Sequence, residues 1–279
     1  MRKLYIYLLV AVAIAPLLTS CGVGSKLWTP YNYYIYQPHN VPTLRDAGEV
    51  AIDVALAHNY EVETATSPIP FPEINTSEIY GLTLNAAASP IKHLGIMGGY
   101  THFHSDRVYS DASNGAPTIT SRIGELGIGF YMPFAQYSIF ECYLGNSLSL
   151  TKIVTRNGEV GKLNFNKTFV QTSIGFSYAP IDLVYTMRIG NSIYFNAQHS
   201  FSTFEGIYLE RLAATSFLET FEHSLTFRLG YKHVKVQLQL GRGVCPRKIE
   251  SSSTYIFLEK ECAYTASLGL HLALGRKFP

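Results

Sequence analysis

From residue 48 onward the chain keeps one rhythm. Segments about as long as a tilted strand needs to cross a bilayer alternate apolar and polar side chains. The breaks between them run short, then long, then short again. A period of two belongs to an extended strand whose two faces meet different surroundings. Ten strands follow, at approximately 48–58, 78–89, 93–104, 119–132, 136–149, 167–179, 182–190, 221–231, 233–241 and 262–275. The short breaks are Ser89-Pro90-Ile91-Lys92, Pro133-Phe134-Ala135, Ala179-Pro180-Ile181 and Tyr231-Lys232-His233. Three of these hold a proline, which presets φ for a tight turn. The long breaks, 59–77, 105–118, 150–166, 191–220 and 242–261, carry Asn, Ser, Thr, Gly and Pro. Within 191–220, Ser192-Ile193-Tyr194-Phe195-Asn196 and Phe204–Leu212 offer a further pair, so twelve strands is the alternative count.

Alternation alone suits a soluble barrel with its apolar face inward as well as a membrane barrel with that face outward. The polar face separates them. In one late strand Leu225, Phe227, Leu229 and Tyr231 alternate with Ser224, Thr226, Arg228 and Gly230. In the next, Val234, Val236, Leu238 and Leu240 alternate with Lys235, Gln237, Gln239 and Gly241. Water-facing positions should be rich in Lys and Glu, whereas Gly, Ser, Thr and Gln suit a narrow lumen. Charged residues are 15% of the chain, with 20 Tyr and 16 Phe, against about 25% charged in typical soluble domains. Low charge with many aromatic rings fits one face in lipid and ring girdles at its interfaces. After Cys21 no apolar run is long enough for a spanning helix, so the crossing must use a closed sheet. The expected fold is all-β: a closed antiparallel up-and-down transmembrane β-barrel over 48–279. A net charge of +2 gives no electrostatic case for nucleic acid.

The first residues read as a leader. Arg2 and Lys3 precede an apolar run from Leu4 to Leu18, interrupted only by Pro16, and small residues lead to Cys21. Charge, greasy run and small-residue exit are the pattern of a secretory signal peptide. Leu18-Thr19-Ser20-Cys21 resembles the bacterial lipobox, which implies removal of residues 1–20 and acylation of Cys21. Gly22 at the next position implies, on the same resemblance, passage to the outer membrane. Residues 21–47 then form a lipidated tether. It holds an aromatic cluster, Trp28-Thr29-Pro30-Tyr31-Asn32-Tyr33-Tyr34-Ile35-Tyr36, and Pro30, Pro38 and Pro42 argue against a helix or a central strand. The cluster is either a binding patch or, as favoured here, a tether packed on the barrel rim or lying at the membrane surface.

Chemistry-bearing residues are few. Asp53, Glu125, Arg188, Arg228 and Lys235 fall on the inward face. They form either a polar path or a set of paired charges filling a lumen too narrow to conduct, the favoured option. Glu141 cannot be assigned, because Tyr137, Ile139 and Tyr143 share its parity. His102, His104 and Asp106 share one face near the long-loop rim, where they could chelate a cation or activate water. Cys245 and Cys262 flank the last long loop and are expected to form a disulfide in an oxidising compartment. Cys142 is a lone thiol within a strand, with no histidine placed beside it by sequence. No glycine-rich phosphate loop, zinc ligand set or G-x-S-x-G is present, and no cofactor or metal is expected.

Taken whole, with Leu18–Cys21 as its specific part, the chain resembles the outer-membrane β-barrel lipoproteins of Gram-negative bacteria. The resemblance implies the outer membrane, with long loops extracellular and outer-membrane lipid as partner; it implies no activity. The terminal Arg276-Lys277-Phe278-Pro279 is similar to the closing-strand signal of such barrels, with proline rather than the aromatic residue last. The leading expectation is a non-enzymatic barrel with a binding or envelope-structural role. One alternative is a small hydrolase or acyl-modifying enzyme with a rim site at His102, His104 and Asp106. Another is a subunit of a secretion or uptake complex that contacts an envelope protein through residues 22–47. Metabolic labelling with a radioactive fatty acid is expected to tag the wild-type chain and leave Cys21→Ala untagged; equal labelling of both would remove the lipobox reading.

Overall fold

The computed structural model describes residues 36–61, 78–106, 118–154, 158–178, 180–200, 218–231, 233–250 and 256–275. Among these, the side chains at 60–61, 78, 106, 218, 244–250 and 256–263 are outside the description. The strands are β1 (Val50–Glu61), β2 (Glu78–Ile91), β3 (Leu94–Asp106), β4 (Thr118–Pro133), β5 (Ser138–Val154), β6 (Val160–Tyr178), β7 (Ile181–His199), β8 (Leu218–Tyr231), β9 (Val234–Glu250) and β10 (Ile256–Leu274). Each pairs antiparallel with its sequence neighbours, and β1 pairs with β10 from Val50↔Leu274 to Glu61↔Ala263, closing the barrel. A closed sheet leaves no unpaired edge, as an apolar solvent requires.

The described strands number ten, and the twelve-strand alternative fails at a specific place. Ser192–Asn196 does not start a new hairpin; it continues β7, which runs to His199 beside the start of β6 and pairs directly with β8, and Phe204–Leu212 lies outside the described residues. Several strands extend further at the long-loop end than their apolar alternation suggested. β6 begins at Val160 instead of near 167, and β9 and β10 reach into the 242–261 break.

The reason is a change of pattern along β4 and β6. Near the short turns the outward side chains are apolar: Met132, Phe130, Ile128 and Leu126 on β4, with Leu126 72% exposed. Further along β4 the same face carries Arg122 and Thr120, while inward-facing Ile123 and Ile119 are buried. β6 does likewise: Val170 gives way outside to Thr168, Asn166, Asn164 and Lys162, and Phe165 and Leu163 point inward. Beyond the apolar belt β4 and β6 thus turn inside out, apolar in and polar out, while the strands beside them, β5 and β7, keep Leu150, Ile193 and Phe195 outward. The polar outer face of β4 and β6 meets water or headgroups rather than acyl chains.

The interior is not empty. Residues 36–44 run up the lumen as an extended segment, and every one of them is buried. Gly48, at φ +83°, turns the chain from the lumen into the wall, a backbone state glycine adopts without penalty. Its N–H donates to the Ser89 carbonyl at the β2–β3 turn, which pins this turn to the short-turn rim. Leu44 then packs in an apolar floor with Ala51, Ala87, Met97, Tyr131, Ile139, Tyr143 and Phe169.

Ile128→Arg, exposed between Phe130 and Leu126 and paired with Ile96 and Leu144, is expected to destabilise the barrel in lipid by about 2–4 kcal/mol, the cost of a cation deep in the apolar belt. Equilibrium unfolding from vesicles measures it. A neutral result, normal for a water-washed strand face, would overturn the lipid-facing assignment.

Candidate functional site: the occupied lumen

The lumen holds the candidate site, and two groups of residues build it. The wall contributes charges, and the 36–48 segment contributes backbone and small polar groups between them. Asp53, Glu125, Arg188, Arg228 and Lys235 all lie inside the barrel, each 3% exposed or less. With them are Lys167, Asp182, Glu222 and His271, which the sequence reading did not single out, and Glu141, which it could not assign. Glu141 faces inward beside Ile139 and Tyr143, so this face of β5 is both polar and apolar.

Burial forces these charges to pair, because an isolated ion in a low-dielectric interior costs several kcal/mol. Arg188 makes the central knot. Its Nη1 and Nη2 donate to the two Glu125 carboxylate oxygens at 3.0 and 3.3 Å. Its Nε and Nη2 donate to Gln171 Oε1 at 3.1 and 2.6 Å. The guanidinium lies 4.0 Å from the Phe169 ring centroid, a cation–π contact. Glu222 receives Lys167 Nζ at 2.7 Å and lies 3.9 Å from Arg188. Nearer the short turns Lys235 Nζ donates to Asp182 at 2.7 Å, and Asp53 accepts from His271 Nδ1 at 2.7 Å with Arg228 at 3.5 Å.

The internal segment joins these pairs at almost every residue. Arg228 donates to the Val41 carbonyl (2.6 Å) and to Thr43 Oγ1 (3.3 Å). The Leu44 N–H donates to Glu141 (2.9 Å). Gln171 donates to the Asn40 carbonyl (2.6 Å), and the Asn40 amide donates to the carbonyls of Ala86 and Gly98. Gln239 holds both backbone groups of His39, accepting its N–H at 2.8 Å and donating to its carbonyl at 3.1 Å. Asn59 donates to the Tyr36 carbonyl at 2.8 Å, and the Tyr36 hydroxyl donates to the His223 carbonyl at 3.2 Å. Opposite that hydroxyl stands Gly241, where an added Cβ would lie 2.6 Å from the oxygen. The glycine leaves the room that Tyr36 occupies.

His39 has the connectivity of a catalytic triad. Its Nδ1 is 2.8 Å from Ser224 Oγ, and its Nε2 is 3.3 Å from Glu222. Nucleophile, base and orienting acid are therefore all within reach. Yet Ser224 is fully buried, and Glu222 is already bound to Lys167. The tautomer that donates from Nε2 to Glu222 and accepts from Ser224 at Nδ1 satisfies all three groups. The arrangement locks the segment to β8 and exposes no reacting atom.

The rim candidates are placed differently. His102 and His104 lie on the outer face of β3, half-buried and exposed respectively, beside Arg122 and Thr120 of β4. His104 Nδ1 sits 3.3 Å from Thr120 Oγ1. Asp106 pairs with Thr118 in the backbone register, and its side chain is outside the description. Among the described residues no group of three or more His, Cys, Asp or Glu could hold a metal ion. Cys245 is opposite Glu261 and Cys262 opposite Val244 in the β9–β10 register; the disulfide expectation falls on side chains outside the description. Cys142 is a free thiol on the outward parity of β5. Cys21 lies outside the described residues.

The expectation for residues 21–47 needs one correction. From Tyr36 to Leu44 the chain is neither on the rim nor at a membrane surface, but inside the barrel. Sequence gave little warning, because a short polar stretch with two prolines reads as a linker. Its companions were more accessible. Glu222 continues the inward parity of Ser224, Thr226 and Arg228, and His271 that of Thr265 and Ser267.

No protein-family model and no curated protein matches the chain. Among solved structures it is similar to the outer membrane protease OmpT from Escherichia coli, at 10% identity and TM-score 0.46, covering 83% of this chain and 99% of that one. It is also similar to the translocator domain of the autotransporter NalP from Neisseria meningitidis, at 9% identity and TM-score 0.46, with 82% and 90% covered. A third is Ail, the attachment invasion locus protein of Yersinia pestis, at 10% identity and TM-score 0.34, with 82% and 99% covered. At this identity the likeness is one of barrel architecture and says nothing of chemistry.

Arg188→Met is expected to destabilise the barrel by about 3–5 kcal/mol, since it strands Glu125 in the interior. The double variant Arg188→Met/Glu125→Gln should recover much of that loss. Urea midpoints in lipid vesicles measure both, and additive losses would show that the pair is not the unit proposed.

Proposed function

We propose that the protein is a Gram-negative outer-membrane lipoprotein whose barrel is a closed, non-enzymatic scaffold. Its role is binding or envelope structure, carried by what it displays beyond the membrane. One observation carries this reading: the lumen is filled by the chain's own 36–44 segment, bonded to β1, β2, β3, β5, β6, β8 and β9. A pore must keep a continuous wet path, and a catalytic site must admit substrate to its reacting atoms. Neither need is met where the buried charges of the lumen pair with one another and with the segment. Supporting the location are the apolar belt on the outside of the wall and the lipobox-like residues Leu18–Cys21. The short turns then lie in the periplasm and the long loops at the cell exterior.

The full chain in planar bilayers is expected to give no steady single-channel current. A variant lacking residues 36–47 should conduct, provided it retains the heat-modifiable mobility of a folded barrel. Large steady currents from the full chain would overturn the reading.

A further inference from the structure

The internal segment has a direction, and the direction decides where the rest of the N-terminal chain goes. Gly48 is at the short-turn rim, bonded to Ser89. Going backwards from it, the partners climb the wall. Leu44 meets Glu141, three residues past the start of β5. Asn40 meets the paired Ala86 and Gly98. Gln37 meets Thr101, seven residues past the start of β3. Tyr36 meets Asn59, two residues from the long-loop end of β1. The chain entering Tyr36 therefore arrives from the long-loop side.

A return pass to the short-turn side does not fit. Ten strands enclose room for little beyond side chains. The first pass is already bonded around the circumference, from β1 through β5 and β6 to β8 and β9. Toward the long-loop end the inner wall carries Leu163, Phe165 and Tyr194 together with Ser105, Ser121, Ser149 and Thr151, all buried. The next residues outward in sequence, Tyr31 and Tyr33–Ile35, have the matching character.

We infer that the chain N-terminal to Tyr36 leaves the barrel through its long-loop mouth, so that Cys21 and the residues after it stand on the same side as the long loops. This rests on the membrane-barrel reading above and adds to it. The fourteen residues 22–35 span at most about 50 Å extended. β6 continues seven residues beyond Lys167, which is level with His39 through Glu222, and that stretch rises only about 23 Å. The reach suffices to clear the mouth and set an acylated Cys21 into the outer leaflet. The lipid and the aromatic cluster Trp28–Tyr34 would then face the cell exterior, and a partner for them would be a surface molecule.

Native lysines test this without any substitution. Lys26 lies in the segment at issue; Lys152 and Lys162 are exposed at the long-loop ends of β5 and β6; Lys92 is exposed at the β2–β3 short turn. Intact cells are treated with a membrane-impermeant amine reagent, and modified peptides are read by mass spectrometry before and after permeabilisation. Lys26, Lys152 and Lys162 are expected to label to the same level in both, with Lys92 labelling only after permeabilisation. Lys26 silent in intact cells, with Lys152 and Lys162 labelled, would overturn the inference and leave the orientation standing. Lys92 labelled in intact cells, with Lys152 and Lys162 silent, would overturn the orientation itself; Lys26 would still have to follow Lys152.

Discussion

A narrow barrel in lipid that encloses charged side chains has to pair them within its own interior. The period of two gives one face of each strand to the acyl chains, and in the belt that face takes Leu, Val, Ile and Phe. What remains must face inward, and there it finds no bulk water. Charge and hydrogen-bonding capacity therefore have to cancel internally. The wall does part of this through Arg188 with Glu125, Lys167 with Glu222 and Lys235 with Asp182. Pairing across a lumen still leaves a gap along the axis. The 36–44 segment closes it with backbone groups, which carry one donor and one acceptor per residue at fixed spacing. Arg228 shows the division of labour: Asp53 offsets its charge, and the segment takes two of its N–H groups.

The pattern switches along β4 and β6. Past the belt, β4 and β6 put apolar side chains inside instead. Phe165 and Tyr194 then pack edge to face within the barrel, while Asn146 and Asn166 bond on the outer surface. One closed sheet thus carries both hydrophobic orders at its long-loop end, inverted on β4 and β6 and retained on β5 and β7. The lower section has the pattern of a membrane barrel, and the upper mixes that pattern with the one of a water-soluble sheet.

This explains what could be read from the amino-acid order. The late strands were legible because they lie in the belt along most of the length first assigned. Leu225, Phe227 and Leu229 outside against Ser224, Thr226 and Arg228 inside leave no ambiguity. The upper part of β6 was not legible, because Lys162, Asn164 and Asn166 outside and Leu163, Phe165 and Lys167 inside mix both classes of side chain. β5 was obscure for a related reason: Ile139, Glu141 and Tyr143 share the inward face near the apolar floor. The inward charges of the belt could be found from parity alone. Their partners could not, since Arg188 and Glu125 come from strands that are not neighbours in the sheet. The 36–44 segment has neither period, and only tertiary bonding identifies it.

The bonds between that segment and the wall join very distant parts of the chain: His39 holds Gln239 across 200 residues, and Tyr36 holds His223 across 187. Such bonds restrict the sequence of events during biogenesis. A finished cylinder could receive this segment only by threading it past the apolar floor around Leu44. The growing sheet must instead be rolled around a strip of chain already lying across it, and the zipping of β1 to β10 seals the strip in. Residues 36–44 act as a mandrel for the closing sheet, and the seam between β1 and β10 finishes around them.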